Sequence, residues 1–177
     1  DGTKEFIERT DDFTVNIALI DVHRPILGVV YSPVTGFLYY AAQECGAFKQ
    51  EAARAAHPIH VSDRPSDGSL RVMSSRRHGR DRLQPFLDKL GHYSITERGS
   101  SLKFCLVAEG LFDLYPRFGS TSEWETAAAQ CVVEQAGGIV VSCQDGLPLQ
   151  YNTRDSLQNP HFLVVGDKTT DWRQYLS

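Results

Sequence analysis

Phe13-Thr14-Val15-Asn16-Ile17-Ala18-Leu19-Ile20 is a β-branched, apolar run that stops at Asp21. A second such run, Pro25-Ile26-Leu27-Gly28-Val29-Val30-Tyr31, begins after the short His23-Arg24-Pro25 connection, which predicts a β-hairpin. Ser32 to Gly36 reads as a turn, Phe37 to Tyr40 as a third strand and Gly46 to Lys49 as a fourth. Short strands joined by tight connections predict an antiparallel sheet. The first two runs are apolar almost throughout, so this sheet is expected to be covered on both faces. No helices able to cover one of those faces are present in the chain.

Beyond this sheet the rhythm changes. Residues 51–68 read as a polar connection containing Pro58, Pro65 and Gly68. The pair His57 and His60 lies within it and lacks further Cys or His at zinc spacing, so it reads as loop. From Leu70 to Met73 the chain reads as a strand. Leu83, Phe86, Leu87 and Leu90 then fall at helical spacing. A strand over Tyr93–Thr96, an apolar helix ending at Ala108 and a strand over Leu111–Tyr115 follow. Ser122 to Ala136 predicts a strong helix closed by Gly137-Gly138, followed by strands at Ile139–Val141 and Phe162–Val165. Alternation of strand and helix predicts an α/β lobe over residues 69–177, after an antiparallel sheet lobe over residues 1–68.

Bulk properties restrict the function. A length of 177 residues suits one compact domain or two small lobes sharing a core. A net charge of −4 gives no electrostatic case for nucleic-acid binding, and no apolar run reaches the length of a membrane span. A polyanionic substrate would therefore need local cations or metal ions. The cysteines Cys45, Cys105, Cys131 and Cys143 have no metal spacing and read as reduced thiols of a cytoplasmic protein. The chain opens on Asp1 and its one methionine is Met73, so an upstream segment is expected to precede it.

Three constellations carry chemistry. Asp1-Gly2-Thr3 joins a carboxylate, a residue free to adopt positive φ and a hydroxyl able to orient a water or a phosphate oxygen. Glu125 falls in the first turn of the 122–136 helix, where it reads either as a ligand beside unpaired amides or as the third helical position of a capping box begun by Ser122. Ser74, Arg76, Arg77, His78, Ser101, Lys103 and Arg117 fall at strand ends or strand-to-helix junctions. Together they suit a second phosphate. Arg77, Arg80 and Arg82 read more simply as solvated surface. Lys103 does not, because it interrupts the apolar run Leu102–Ala108.

Asp1-Gly2-Thr3-Lys4-Glu5-Phe6 resembles the end of the Asp-Pro-x-Asp-Gly-Thr signature of the inositol monophosphatase superfamily. Trp124-Glu125-Thr126-Ala127-Ala128 is similar to its second signature, with Ala136-Gly137-Gly138 at the usual distance. Glu125 and Ala129 stand where that signature has Asp and Gly. Gly99 to Phe104 and Tyr115 to Phe118 are similar to the 3'(2'),5'-bisphosphate nucleotidase branch. The resemblance implies a layered fold, an antiparallel sheet lobe followed by a smaller α/β lobe. It implies a Mg²⁺-dependent phosphomonoesterase that converts 3'-phosphoadenosine 5'-phosphate to AMP without a protein nucleophile. Asp1 and Glu125 would be metal ligands, with Asp1 and Thr3 catalytic. Asp1, Gly2, Thr3 and Glu125 would contact the substrate, and His78, Ser101, Lys103 and Arg117 would hold the nucleotide and its other phosphate. The expected partner is a small nucleotide, with no nucleic acid and no membrane span. Peripheral association with the inner membrane and a homodimer are left open. The alternatives are an inositol or general sugar phosphatase, and an inactive binding or dimerisation module.

Overall fold

The computed structural model describes residues 1–63, 68–76 and 80–176. A short helix, α1 (Thr3–Ile7), precedes β1 (Val15–Asp21), β2 (Arg24–Ser32), β3 (Phe37–Ala42), β4 (Gly46–Glu51) and β5 (His57–Ile59). These strands form one antiparallel sheet in the order β1-β2-β3-β4-β5. There follow β6 (Leu70–Ser75), α2 (Arg80–Leu87), β7 (Tyr93–Arg98), α3 (Leu102–Ala108), β8 (Leu114–Arg117), α4 (Glu123–Gln135), β9 (Ile139–Ser142) and β10 (Phe162–Val165). The second sheet has the order β7-β6-β8-β10-β9. In it β6 runs parallel to β7 and β8, because α2 and α3 supply the crossovers that parallel pairing requires.

Helices α3 and α4 lie between the sheets. One core joins Val30, Tyr39 and Ala41 of the first sheet to Cys105 and Val107 of α3, to Ala128 and Val132 of α4, and to Met73, Tyr115 and Phe162 of the second sheet. A Cβ at Gly28 on β2 would sit 2.1 Å from the Ala128 carbonyl oxygen, so the missing side chain is what lets α4 lie this close. On the far side of the second sheet, Leu70, Val72, Leu114, Leu163 and Val165 pack against Phe86, Leu87 and Leu90. Trp172, in a 3₁₀ turn over Trp172–Tyr175, completes that layer. All four residues of β10 are buried, alternating between the two cores, which explains its unbroken apolar sequence. Each such side chain contributes about 1.5–3 kcal/mol by burial.

The first sheet is covered on one face by α4 and, among the described residues, carries no layer from this chain on the other. Its register pairs Val15 with Tyr31, Ile17 with Val29 and Leu19 with Leu27, which gathers these side chains on the face away from α4. Val15, Ile17 and Leu19 are 50%, 61% and 55% exposed, so that face is open within this chain, in keeping with the expectation that the helices able to cover it are not part of it. Three local expectations are corrected. The opening turn continues into α1, and β5 forms inside the expected loop by pairing with β4. The strand expected over Leu111–Tyr115 begins at Leu114 and reaches Arg117, paired to β10 throughout.

Candidate active site

Gly2 adopts φ +90°, and a Cβ there would meet Phe13 Cα at 3.0 Å and Ser100 Cβ at 3.3 Å. Both the left-handed backbone and the close approach require glycine. The bend brings the Asp1 carbonyl into a hydrogen bond with the Thr14 N–H at 2.9 Å, which anchors the start of the chain beside β1. α1 starts at Thr3, leaving its first N–H groups without helical acceptors. Glu5, one turn after Asp1, brings a further carboxylate to the same cavity.

A third carboxylate comes from α4. Ser122 and Glu125 form the reciprocal capping box, with Glu125 Oε2 accepting the Ser122 N–H at 2.6 Å. Glu125 is half-buried and lines the cavity, so the cap holds its carboxylate at the cavity wall. The two sequence readings of Glu125, cap and cavity carboxylate, are therefore geometrically compatible. Trp124 beside it is 64% exposed.

The same cavity is lined by buried cations. Lys103, in the first turn of α3, is 3% exposed. Its Nζ donates to the carbonyls of Ser100 at 2.7 Å and Arg98 at 3.3 Å, and lies 5.0 Å from the Tyr115 ring centre. Burial, then the neighbouring Arg117, lowers its pKa to about 7, while Glu5 and Asp12 pull the other way. Arg117, at the end of β8, donates from Nη2 to the Ser120 carbonyl at 2.9 Å, and its buried Nε has no protein acceptor. Burial pushes the Tyr115 hydroxyl up to about 12, which keeps it a neutral donor at physiological pH. Two buried cations lining one cavity suit an anionic ligand.

A cavity of about 320 Å³ is lined by Asp1, Gly2, Thr3, Ser101, Lys103, Arg117 and Glu125 together. Their sequence positions are far apart; the fold brings them to one place. His78 and Arg77 lie outside the described residues. The Ser101 hydroxyl donates to Asn16 Oδ1 at 2.8 Å and shares a 2.8 Å bond with Thr14, so it also ties α3 to β1. Glu5, Ser75, Tyr115, Thr121 and Thr126 line the cavity as well without having been anticipated. Glu5 had a usable signal, its spacing of four from Asp1. Thr121 and Ser75 had none beyond sitting at the ends of elements.

Among the described residues no group of three or more His, Cys, Asp or Glu is disposed to hold a metal ion. Asp1 and Glu125 supply hard oxygen donors only. That set fits Mg²⁺, which is commonly held by one or two carboxylates and takes its other ligands from water and substrate phosphate. It does not fit zinc or another thiophilic ion.

The family model described as the inositol monophosphatase family matches residues 1–170. The chain is 49% identical to the 3'(2'),5'-bisphosphate nucleotidase CysQ of Salmonella typhimurium, over 93% of this chain and 65% of that protein. Against the CysQ of Escherichia coli strain K12 the identity is also 49%, over 93% of this chain and 64% of the other. The chain thus spans slightly less than two thirds of the length of these relatives. Among solved structures, CysQ from Bacteroides thetaiotaomicron superposes with a TM-score of 0.85 at 36% identity, covering 94% of this chain and 67% of that one. The inositol monophosphatase from Anabaena superposes with a TM-score of 0.75 at 25% identity, covering 99% of this chain and 69% of that one. With its signatures brought to one cavity and matched along nearly its whole length, this chain belongs to the inositol monophosphatase family.

Proposed function

We propose that the protein containing this chain is a Mg²⁺-dependent phosphomonoesterase that removes the 3'-phosphate of 3'-phosphoadenosine 5'-phosphate, giving AMP and phosphate. The observation that carries this reading is the pairing, in one cavity, of a carboxylate wall with two buried cations. A single phosphate needs only the first; the second suits a ligand carrying another phosphate. The 49% identity to CysQ proteins supports the same choice.

In this mechanism Asp1 and Glu125 would hold Mg²⁺, which would supply charge neutralisation at the phosphate and acidification of water. Gly2 and Thr3 present backbone N–H groups to the phosphate that leaves, and the Thr3 hydroxyl orients the attacking water. The water oxygen bonds to phosphorus as the bond to the ribose 3'-oxygen breaks; the water gives up one proton to solvent and the departing 3'-oxygen takes one up from solvent. Lys103 and Arg117 bind the phosphate that stays, with Ser101 bracing α3 behind them and His78 completing the nucleotide contacts. A cytoplasmic location accompanies this reading, consistent with four cysteines that are all free thiols.

The test compares substrates. With Mg²⁺, the full-length protein carrying this chain is expected to hydrolyse the bisphosphate nucleotide with a higher kcat/KM than inositol monophosphate. Faster turnover of inositol monophosphate would assign a sugar phosphatase instead, and no turnover of either would favour a binding module.

A further inference from the structure

We infer that Asp12 is a positioning residue for the second-phosphate site: its buried carboxylate fixes the Arg98–Ser101 loop and the Arg76 guanidinium so that Lys103 is held facing the cavity. The inference rests on the nucleotidase reading above and deepens it.

Asp12 follows α1 and precedes β1, and it is 2% exposed. Charge this deeply buried is costly unless it is paired and hydrogen-bonded. Here it is both. Oδ2 lies 2.8 Å from Arg76 Nη2 and accepts the Gly99 N–H at 3.0 Å, while Oδ1 lies 3.4 Å from Arg98 Nη1. One carboxylate therefore ties together the residue after β6, the last residue of β7 and the loop that enters α3.

That loop is built tightly around it. A Cβ on Gly99 would fall 2.9 Å from Asp12 Cβ and 2.4 Å from Glu5 Cγ. Ser100 then takes φ +48°, an unfavourable conformation for a non-glycine residue that neighbouring contacts must hold. The reason for the strain lies one step further on. The carbonyls of Arg98 and Ser100, thus fixed, are the two acceptors of Lys103 Nζ. Asp12 touches neither Lys103 nor the cavity; it fixes the backbone that aims the amine. Its negative charge also favours the protonated amine against the opposing effect of Arg117.

Neutralising Asp12 removes the counter-charge that it offers Arg76 and Arg98 and loosens its hold on the loop. In the full-length enzyme, Asp12→Asn is expected to raise KM for 3'-phosphoadenosine 5'-phosphate about 10-fold or more, the usual scale for a lost hydrogen bond to a charged group, with kcat within about twofold. The ratio of kcat/KM for the bisphosphate to that for 3'-AMP, which lacks the second phosphate, falls by a similar factor, and Asp12→Glu restores most of it. Should Asp12→Asn fail to fold, Arg76→Met decides in its place, with the same selective fall expected. An equal loss on both substrates, or no change on either, overturns the inference and leaves the nucleotidase reading intact. Absence of bisphosphate turnover in the unsubstituted enzyme overturns the nucleotidase reading itself.

Discussion

The two walls of the cavity are built on opposite plans. The carboxylate wall is open: Asp1 and Thr3 are exposed and Glu125 is half-buried, with each carboxylate on a turn or helix end. The cation wall is closed: Lys103 and Arg117 are 3% and 7% exposed, rooted in α3 and β8 and bonded to backbone carbonyls. Open carboxylates keep their affinity for hard cations and water. Buried cations keep their field unscreened but must be satisfied while the ligand is away. On the proposed reading the open wall does the chemistry and the closed one the recognition, and each assignment can be broken.

The largest effect is expected at the open wall. In the full-length enzyme, Glu125→Ala should lower Mg²⁺-dependent kcat by about 100-fold or more, the scale seen when a stabiliser of transition-state charge is removed. Glu125→Asp should retain or raise activity. Steady-state kinetics across a Mg²⁺ titration reads both; undiminished turnover in Glu125→Ala would reduce this residue to its capping role.

At the closed wall, Lys103→Met should raise KM for the bisphosphate about 10- to 100-fold, with a smaller effect on kcat. A change confined to kcat would reverse the assignment of the two walls. A pH profile gives a finer test. With its pKa lowered to about 7, Lys103 is protonated below that pH and neutral above it in the empty site. Phosphate binding favours the charged amine, so KM for the bisphosphate should climb by up to about 10-fold per pH unit above 7. Lys103→Arg, charged throughout, should flatten this limb; an equally steep limb in that variant would exonerate the lysine.

Gly2→Ala tests the hinge of the open wall. Positive φ and contact with Phe13 should together cost about 1–3 kcal/mol, measurable by urea unfolding. The smallest effect concerns a pair remote from both walls. Burial raises the Asp113 pKa, but hydrogen bonds from Arg71 and Ser62 outweigh this and hold it below 3.8. Its stabilisation is thus fully present above pH 3.8 and lost as pH falls through the lower folded value. Asp113→Asn should weaken stability at pH 7 and make little difference in strong acid, without altering KM.

Much of this was legible in the residues. The β-branched apolar runs of β1 and β2, the helical spacing after Asp81 and the capping residues of α4 each carry a local signal, because strand and helix preferences are short-range properties. The signature turn and the lone lysine in an apolar helix were likewise visible. β5 was not legible, since three residues containing a proline form a strand here only through pairing with β4. Asp12 was not legible either, as nothing local distinguishes it from Asp11.

What the sequence determined by itself was which residues had the means: a carboxylate beside a glycine bend, a capped helix, cations at strand ends. Tertiary structure alone decided which of them meet. Packing α3 and α4 between two sheets carries Asp1, Lys103, Arg117 and Glu125 to one cavity from places far apart in the chain. It also decided the state of those groups, because burial, which no residue type encodes, is what brings Lys103 down to about 7 and makes Asp12 the anchor of its loop.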